Sequence, residues 1–220
     1  MGAIVKVCGI TRPEDAETAL RLGADYIGVI VYPKSPRAVP LRLLPDLLAV
    51  IPPGKRVLVD VAPSMEVLED LLAYGFDAYQ LHFDLDIPVA RVAEWSQVVG
   101  QEAFWAAPRV PLEEEAFPQI LLEFADTFVV DAYDKASYGG TGRAGTNWQR
   151  FLDWTLLYQH KRWVLAGGLG PDNIAEAIAF TQAAMIDVNS GVEKVPGVKD
   201  AAKLEAFFAR LRDAEAAPPS

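Results

Sequence analysis

The sequence predicts an α/β chain folded as a single (β/α)8 TIM barrel. Three observations carry that expectation. Short β-rich runs alternate with longer amphipathic stretches from one end of the chain to the other. Eight such pairs share 220 residues, or roughly 27 per pair, which suffices for a closed parallel barrel. The turn after the first strand reads Cys8-Gly9-Ile10-Thr11, not the glycine fingerprint that a doubly wound open sheet carries there.

The strands are expected at residues 4–8, 26–31, 56–61, 78–82, 103–106, 127–131, 163–166 and 185–188. Between them the period lengthens. Residues 12–23 place Ala16, Ala19, Leu20 and Gly23 on one face, with Pro13 suited to a first turn. Residues 64–74 read as a helix capped by Ser64, striped by Val67, Leu68, Leu71 and Leu72, and ended by Gly75. Residues 171–180 and 199–211 follow the same pattern. Residues 1–212 are therefore assigned to one barrel domain. Residues 213–220 lack any large apolar side chain, end in Pro218-Pro219-Ser220, and are expected to form a flexible tail.

Composition narrows the function classes. An apolar fraction of 51% supports a substantial core. A formal charge of -10 argues against a nucleic-acid partner, since coating phosphates needs a basic face. It does not exclude a small phosphorylated substrate, which a few backbone N–H groups can hold. The one cysteine, Cys8, permits no internal disulfide, and no apolar run is long enough to span a bilayer. The N-terminal residues show no leader pattern, so a soluble, cytoplasmic protein with no membrane partner is expected. Two histidines make a histidine-rich metal site unpromising.

In such a barrel the site is built at the C-terminal strand ends and the loops after them. Cys8 closes the first strand, Arg37 lies in the loop after the second, and His82 closes the fourth. Asp131 closes the sixth, Gly167-Gly168 follow the seventh, and Asn189-Ser190-Gly191 follow the eighth. Strand alternation places Ile4, Lys6 and Cys8 on one side, making Lys6 a cationic neighbour of the thiol. A thiol that acts as a base needs a lowered pKa. Arg37 can offer its fork of N–H donors to a carboxylate, with Ser35-Pro36 fixing its turn. The glycine-bearing loops after the last two strands are assigned to a phosphate: Gly167, Gly168, Asn189, Ser190 and Gly191. Asp187 has two open readings, a substrate hydroxyl or a pair with Lys6. His82 is placed at the rim as a substrate contact with no assigned chemistry. Gly140, Thr141 and Gly142 read as a cover over the site.

These segments occur together in one known family. Lys6-Val7-Cys8-Gly9-Ile10-Thr11, Tyr32-Pro33-Lys34-Ser35-Pro36-Arg37 and Gln80-Leu81-His82 resemble the first, second and fourth units of phosphoribosylanthranilate isomerase. Val130-Asp131 with Gly139-Gly140-Thr141-Gly142 resembles its sixth unit. Ala166-Gly167-Gly168-Leu169 with Pro171 and Asn173, then Asp187-Val188-Asn189-Ser190-Gly191-Val192-Glu193 and Pro196-Gly197-Val198-Lys199-Asp200, resemble the last two. The matches run in family order from residue 6 to residue 200. Two positions depart: Phe83 stands where the family usually has glycine, and Asn189 where it usually has serine. Phe83 is expected to narrow the mouth of the site or reshape its loop.

The resemblance implies an Amadori rearrangement of a phosphoribosylated anthranilate with no cofactor, Asp131 acting as general acid and Cys8 as general base. It further implies that Arg37 meets the anthranilate carboxylate. Asp126 and Asp134 are alternatives to Asp131, which is favoured because it ends the apolar run Phe128-Val129-Val130. A related ribotide isomerase would end the first strand with aspartate, and an indoleglycerol-phosphate synthase would carry a lysine there. Ribulose-phosphate epimerases need metal-binding histidines that this chain lacks. A catalytically inactive phosphometabolite-binding scaffold is the reading from another class. A homodimer ranks slightly above a monomer.

Overall fold

The computed structural model describes residues 2–111, 114, 116–130 and 146–216, apart from the side chains of residues 146 and 147. The elements run β1 Ile4–Val7, α1 Pro13–Leu22, β2 Tyr26–Ile30, α2 Leu44–Ala49, β3 Arg56–Val61 and α3 Met65–Leu72. They continue with β4 Ala78–Asp84, α4 Val89–Val99, β5 Phe104–Arg109, β6 Thr127–Val130, α5 Thr146–Leu157 and β7 Arg162–Leu165. Last come α6 Ile174–Thr181, β8 Met185–Val188, the strands β9 Glu193–Val195 and β10 Val198–Lys199, and α7 Ala201–Ala216. Strands β1 to β8 form a closed barrel in sequence order. The seam closes in parallel, with Lys6 opposite Asp187 and Val7 opposite Val188.

Period-2 alternation sorts the strand residues into two layers. Val57 and Val59 of β3, Trp105 and Ala107 of β5, Val129 of β6, Val164 of β7 and Met185 of β8 fill the interior with Cys8. Val5, Val29, Leu58, Leu81, Phe128, Leu165 and Ile186 pack outward beneath the helices. Ser64 caps α3 as expected, its hydroxyl accepting the Val67 N–H at 3.3 Å.

Alternation also corrects the expectation for Phe83. One residue beyond His82, it points into the outer layer, where it is buried against Trp95 with ring centroids 5.7 Å apart. It therefore fills space between β4 and α4 and does not narrow the mouth.

The fifth connection departs from the regular pattern. Between β5 and β6 the described backbone forms a 3-10 turn, Gln119–Glu123, in place of an α-helix. Prolines 111 and 118 interrupt this stretch, and each lacks the N–H that a helix interior requires. Aromatic rings fill the space a helix would occupy. Phe117 lies 5.0 Å from the ring centroids of Phe128, Trp154 and Trp163. Arg150 of α5 clamps the same connection, donating to the carbonyls of Pro111, Val110 and Glu114.

A second small surprise is the antiparallel β9–β10 pair, turned by Pro196-Gly197 and absent from the sequence expectation. The chain end also differs. Helix α7 continues through Asp213 to Ala216, four residues into the expected tail, and residues 217–220 lie outside the described set. Alanine and glutamate are strong helix formers even without an apolar stripe, and Glu215 accepts the Ala3 N–H at 2.5 Å. Among the described residues no helix is long and apolar enough to cross a membrane.

Two predictions follow from this packing. Phe117→Ala should lower unfolding stability by about 3–5 kcal/mol, read by urea denaturation, since its ring joins β6, α5 and β7. Asp60, on the outward side of β3, is 5% exposed, and burial raises its pKa to about 6 against the Val61 N–H it accepts. Its folded pKa exceeds its unfolded value, so the folded state loses stability as pH rises from about 4 to 6. Asp60→Asn should therefore gain on the order of 2–3 kcal/mol at pH 8 and nothing near pH 4. An equal gain at both pH values would refute the assignment.

Candidate active site

The rim forms where β1, β2 and β8 meet. Lys6 and Cys8 project from β1 and its end into the barrel, and both are buried. They fit because β2 presents Gly28 to them. A Cβ there would lie 2.9 Å from both the Cys8 Sγ and the Lys6 Cε. The Lys6 ammonium crosses the barrel seam to Asp187 Oδ2 at 2.7 Å. Asp187 thus resolves one of its two open readings, and the second stays available: its Oδ1 is buried with no hydrogen-bond partner among the described residues. A buried carboxylate oxygen in that state is poised to accept from a ligand hydroxyl.

Electrostatics around the thiol are mixed. Burial works against the Lys6 ammonium, but Asp187 and Cys8 outweigh it and hold its pKa above the ordinary value. For Cys8, burial dominates and pushes the thiol up, Lys6 and Lys199 pull it down, and Asp187 adds to the rise. Lys6 is therefore the cationic neighbour that strand alternation predicted, yet the expected lowered thiol pKa is not reached in the free protein. Desolvation of the thiolate outweighs a lysine that already shares its charge with a carboxylate.

Around this core runs a second charged network. Arg37 grips Glu193, with Nε 2.9 and 3.1 Å from its two oxygens and Nη2 2.7 Å from Oε2. Glu193 also accepts from Lys199 Nζ and from the Gly197 N–H, each at 3.1 Å. Burial opposes the Glu193 carboxylate, but Arg37, Lys199 and Gly197 together hold its pKa below the usual range. Lys199 reaches Asn189 Oδ1 at 2.9 Å, so that side chain serves the network. Gly9 lets these groups converge: its φ is +69°, and a Cβ there would meet Asn189 Oδ1 at 2.5 Å and Arg37 Cδ at 2.9 Å. Arg37 therefore commits its Nε and Nη2 to Glu193.

The loops after β7 and β8 cross without side chains between them. A Cβ on Gly191 would clash with the Leu169 carbonyl, and one on Gly170 would meet Gly191 at 3.3 Å. Gly167 and Gly168 both take positive φ, a turn that other residues rarely enter. Asn173 fixes this turn from below, accepting the Gly170 N–H and donating to the Gly168 carbonyl, both at 2.9 Å. The 3-10 turn Ser190–Val192 opens opposite, with Ser190 exposed. The assigned glycine loops are thus brought together at one side of the rim.

His82 faces inward beside Gln80, with Nε2 2.9 Å from the Gln80 amide nitrogen. Burial, then Lys6 and Arg109, lowers its pKa to about 3, so the ring is neutral across the physiological range. Asp126 is removed from the acid candidates. It precedes β6, at the barrel end opposite the rim, and pairs with Lys161 at 3.1 Å. Asp131, Asp134, Gly139, Gly140, Thr141 and Gly142 lie outside the described residues. Sequence reasoning missed Gly28, Glu193, Lys199 and the loop-shaping role of Asn173. A glycine within the β-branched run Ile27-Gly28-Val29 was the readable sign for the first. The others make contacts between distant segments that no local pattern displays.

Comparison with known proteins points to one family. The family model described as N-(5'phosphoribosyl)anthranilate (PRA) isomerase matches residues 5–210. The Aquifex aeolicus N-(5'-phosphoribosyl)anthranilate isomerase is 37% identical over 210 residues, covering 94% of this chain and 98% of that protein. The crystal structure of phosphoribosyl anthranilate isomerase from Thermus thermophilus superposes with a TM-score of 0.75 at 32% identity, covering 96% of this chain and 98% of that one. Another isomerase structure, complexed with reduced 1-(o-carboxyphenylamino)-1-deoxyribulose 5-phosphate, gives a TM-score of 0.73 at 26% identity, covering 96% and 99%. This barrel, with its Cys8, Arg37 and Asp187 rim and paired glycine loops, belongs to the N-(5'-phosphoribosyl)anthranilate isomerase family.

Proposed function

We propose that the chain isomerises N-(5-phosphoribosyl)anthranilate to 1-(2-carboxyphenylamino)-1-deoxyribulose 5-phosphate, an Amadori step of tryptophan biosynthesis. The observation that carries this reading is the convergence of Cys8, Asp187 and the Arg37–Glu193 pair on one rim, opposite the crossed glycine loops, in a chain of that family.

The substrate is anionic at both ends, and each end has a counterpart. Backbone amides of the Gly167, Gly168 and Ser190-Gly191 loops receive the phosphate. Arg37 meets the anthranilate carboxylate. Held by Glu193, it meets that group preorganised, which reduces the ordering cost of binding. Asp187 Oδ1 accepts from a ribose hydroxyl, and neutral His82 contributes a polar wall.

Asp131 protonates the furanose oxygen, and the ring opens to the C1=N Schiff base. The Cys8 thiolate then removes the proton from C2. The C–H electron pair forms the C1=C2 bond, and the C=N pair moves to nitrogen. The resulting enolamine becomes the C2 ketone when C1 is protonated and the hydroxyl proton leaves. Acid and base steps of this kind contribute roughly 10²–10⁴-fold each.

Two measurements test this reading. Substrate generated in situ from anthranilate and phosphoribosyl pyrophosphate should lose its fluorescence rapidly with the wild-type protein. Cys8→Ser and Asp131→Asn should each slow that loss by roughly a hundredfold or more. Absence of turnover by folded wild type would leave a binding scaffold as the better reading, and an unimpaired Asp131→Asn would transfer the acid role to Asp134. The raised thiol pKa of Cys8 also sets a pH dependence. Where proton abstraction limits the rate, kcat/KM should climb about tenfold per pH unit from 7 to 8, as the thiolate fraction does. A profile flat across that interval would rule out Cys8 as the titrating base. His82→Asn should leave the shape of the profile unchanged, since its ring does not titrate there.

A further inference from the structure

A lysine at the centre of a valine-lined barrel needs an account beyond stability. A buried ion pair is seldom better than two well-packed apolar side chains of similar volume. The apolar interior layer beside Cys8 includes Val57, Val59, Val129 and Val164, with Trp105 and Met185, and neutral His82 also faces inward. Yet β2 gives up a side chain at Gly28 to make room for the Lys6 stem and the Cys8 sulfur together. Lys6 pairs with Asp187 and lies beside the Cys8 sulfur over Gly28, and Asp187 keeps one oxygen unpartnered among the described residues.

The charges about the thiol show the same design. Lys6 comes from β1, Arg37 from the loop after β2, Asp187 from β8, and Glu193 and Lys199 from β9 and β10. Among the described residues, three cations thus face two carboxylates around Cys8. One further negative charge makes the cluster neutral, and the Cys8 thiolate supplies it.

We propose that Lys6 is a positioning residue: its ammonium pairs with Asp187, its stem shares the space over Gly28 with the Cys8 sulfur, and it is the counter-charge on which the thiol draws when it gives up its proton. Asp187 competes for the same ammonium. When Asp187 Oδ1 engages a substrate hydroxyl, its hold on Lys6 weakens and more of the lysine's field falls on the sulfur. Substrate binding thereby favours the thiolate at the moment it is needed. The proposal rests on Cys8 as the base, and its test is chosen to separate the two.

The chain has one cysteine, so selective 13Cβ-cysteine labelling gives a single NMR signal that titrates with Cys8 alone. In the free protein, Lys6→Met should raise the midpoint by about one pH unit or more, a tenfold loss of thiolate at a given pH. Asp187→Asn should move it the other way, because it frees the ammonium for the sulfur. Opposite signs are the signature, since a merely structural pair would disturb the thiol in one direction or none. If Lys6→Met does not fold, the Lys6→Met/Asp187→Asn double variant leaves no lone buried charge. Its midpoint must then lie above that of Asp187→Asn. An unmoved midpoint on loss of Lys6, or shifts of one sign in both single variants, overturns the proposal. Cys8→Ser that keeps full activity removes the base itself, whatever the titration shows.

Discussion

Closure of the barrel between β1 and β8 is the constraint on which the site depends. These strands come from opposite ends of the chain, and their pairing in register sets Lys6 directly beside Asp187. The ion pair across that seam ties the first strand to the last inside the barrel, where water does not screen it. A shift of β1 by one residue in this register would turn Lys6 and Cys8 outward and leave Asp187 inside without its partner. The chemistry of the rim and the closure of the fold are therefore one arrangement.

A second layer of interactions holds the loops to that seam. Glu193 gathers Arg37, Lys199 and the Gly197 amide, and thereby joins the loop after β2 to the segment after β8. Thr11 donates to the Gly197 carbonyl and Asp15 accepts the Lys199 N–H, which brings in the start of α1. Each of these polar groups is largely withdrawn from water, so removing one leaves its partners exposed to the full desolvation cost. Such a network favours a single loop arrangement over an ensemble. That rigidity suits a site that must recognise two anionic groups separated by a flexible sugar.

Glycines mark where the backbone itself must approach. Gly9 lies under Asn189 and Arg37, and Gly191 lies against the Leu169 carbonyl. At both places a side chain would fill the space in which loops from different strands meet. The helix layer solves a comparable packing problem with the opposite means. Where the described residues of the fifth connection form a 3-10 turn in place of an α-helix, Phe117, Phe128, Trp154 and Trp163 supply the missing volume.

The sequence by itself determined the barrel and most of its rim. Period-2 and period-3.6 patterns are local properties, and they located β3 and β8 at their observed limits and the other strands within a few residues. Rim positions followed because a residue that ends a parallel strand has a fixed place in the fold. Only the tertiary structure decided what those residues do to one another. That Asp187 pairs with Lys6 and that Arg37 is half-committed to Glu193 are facts about segments more than 150 residues apart. The state of Cys8 belongs with them, because burial outweighing a nearby lysine depends on three-dimensional surroundings. Phe83 gives the same lesson in small: the departure was visible in the sequence, and its harmlessness rests on which face of β4 it occupies.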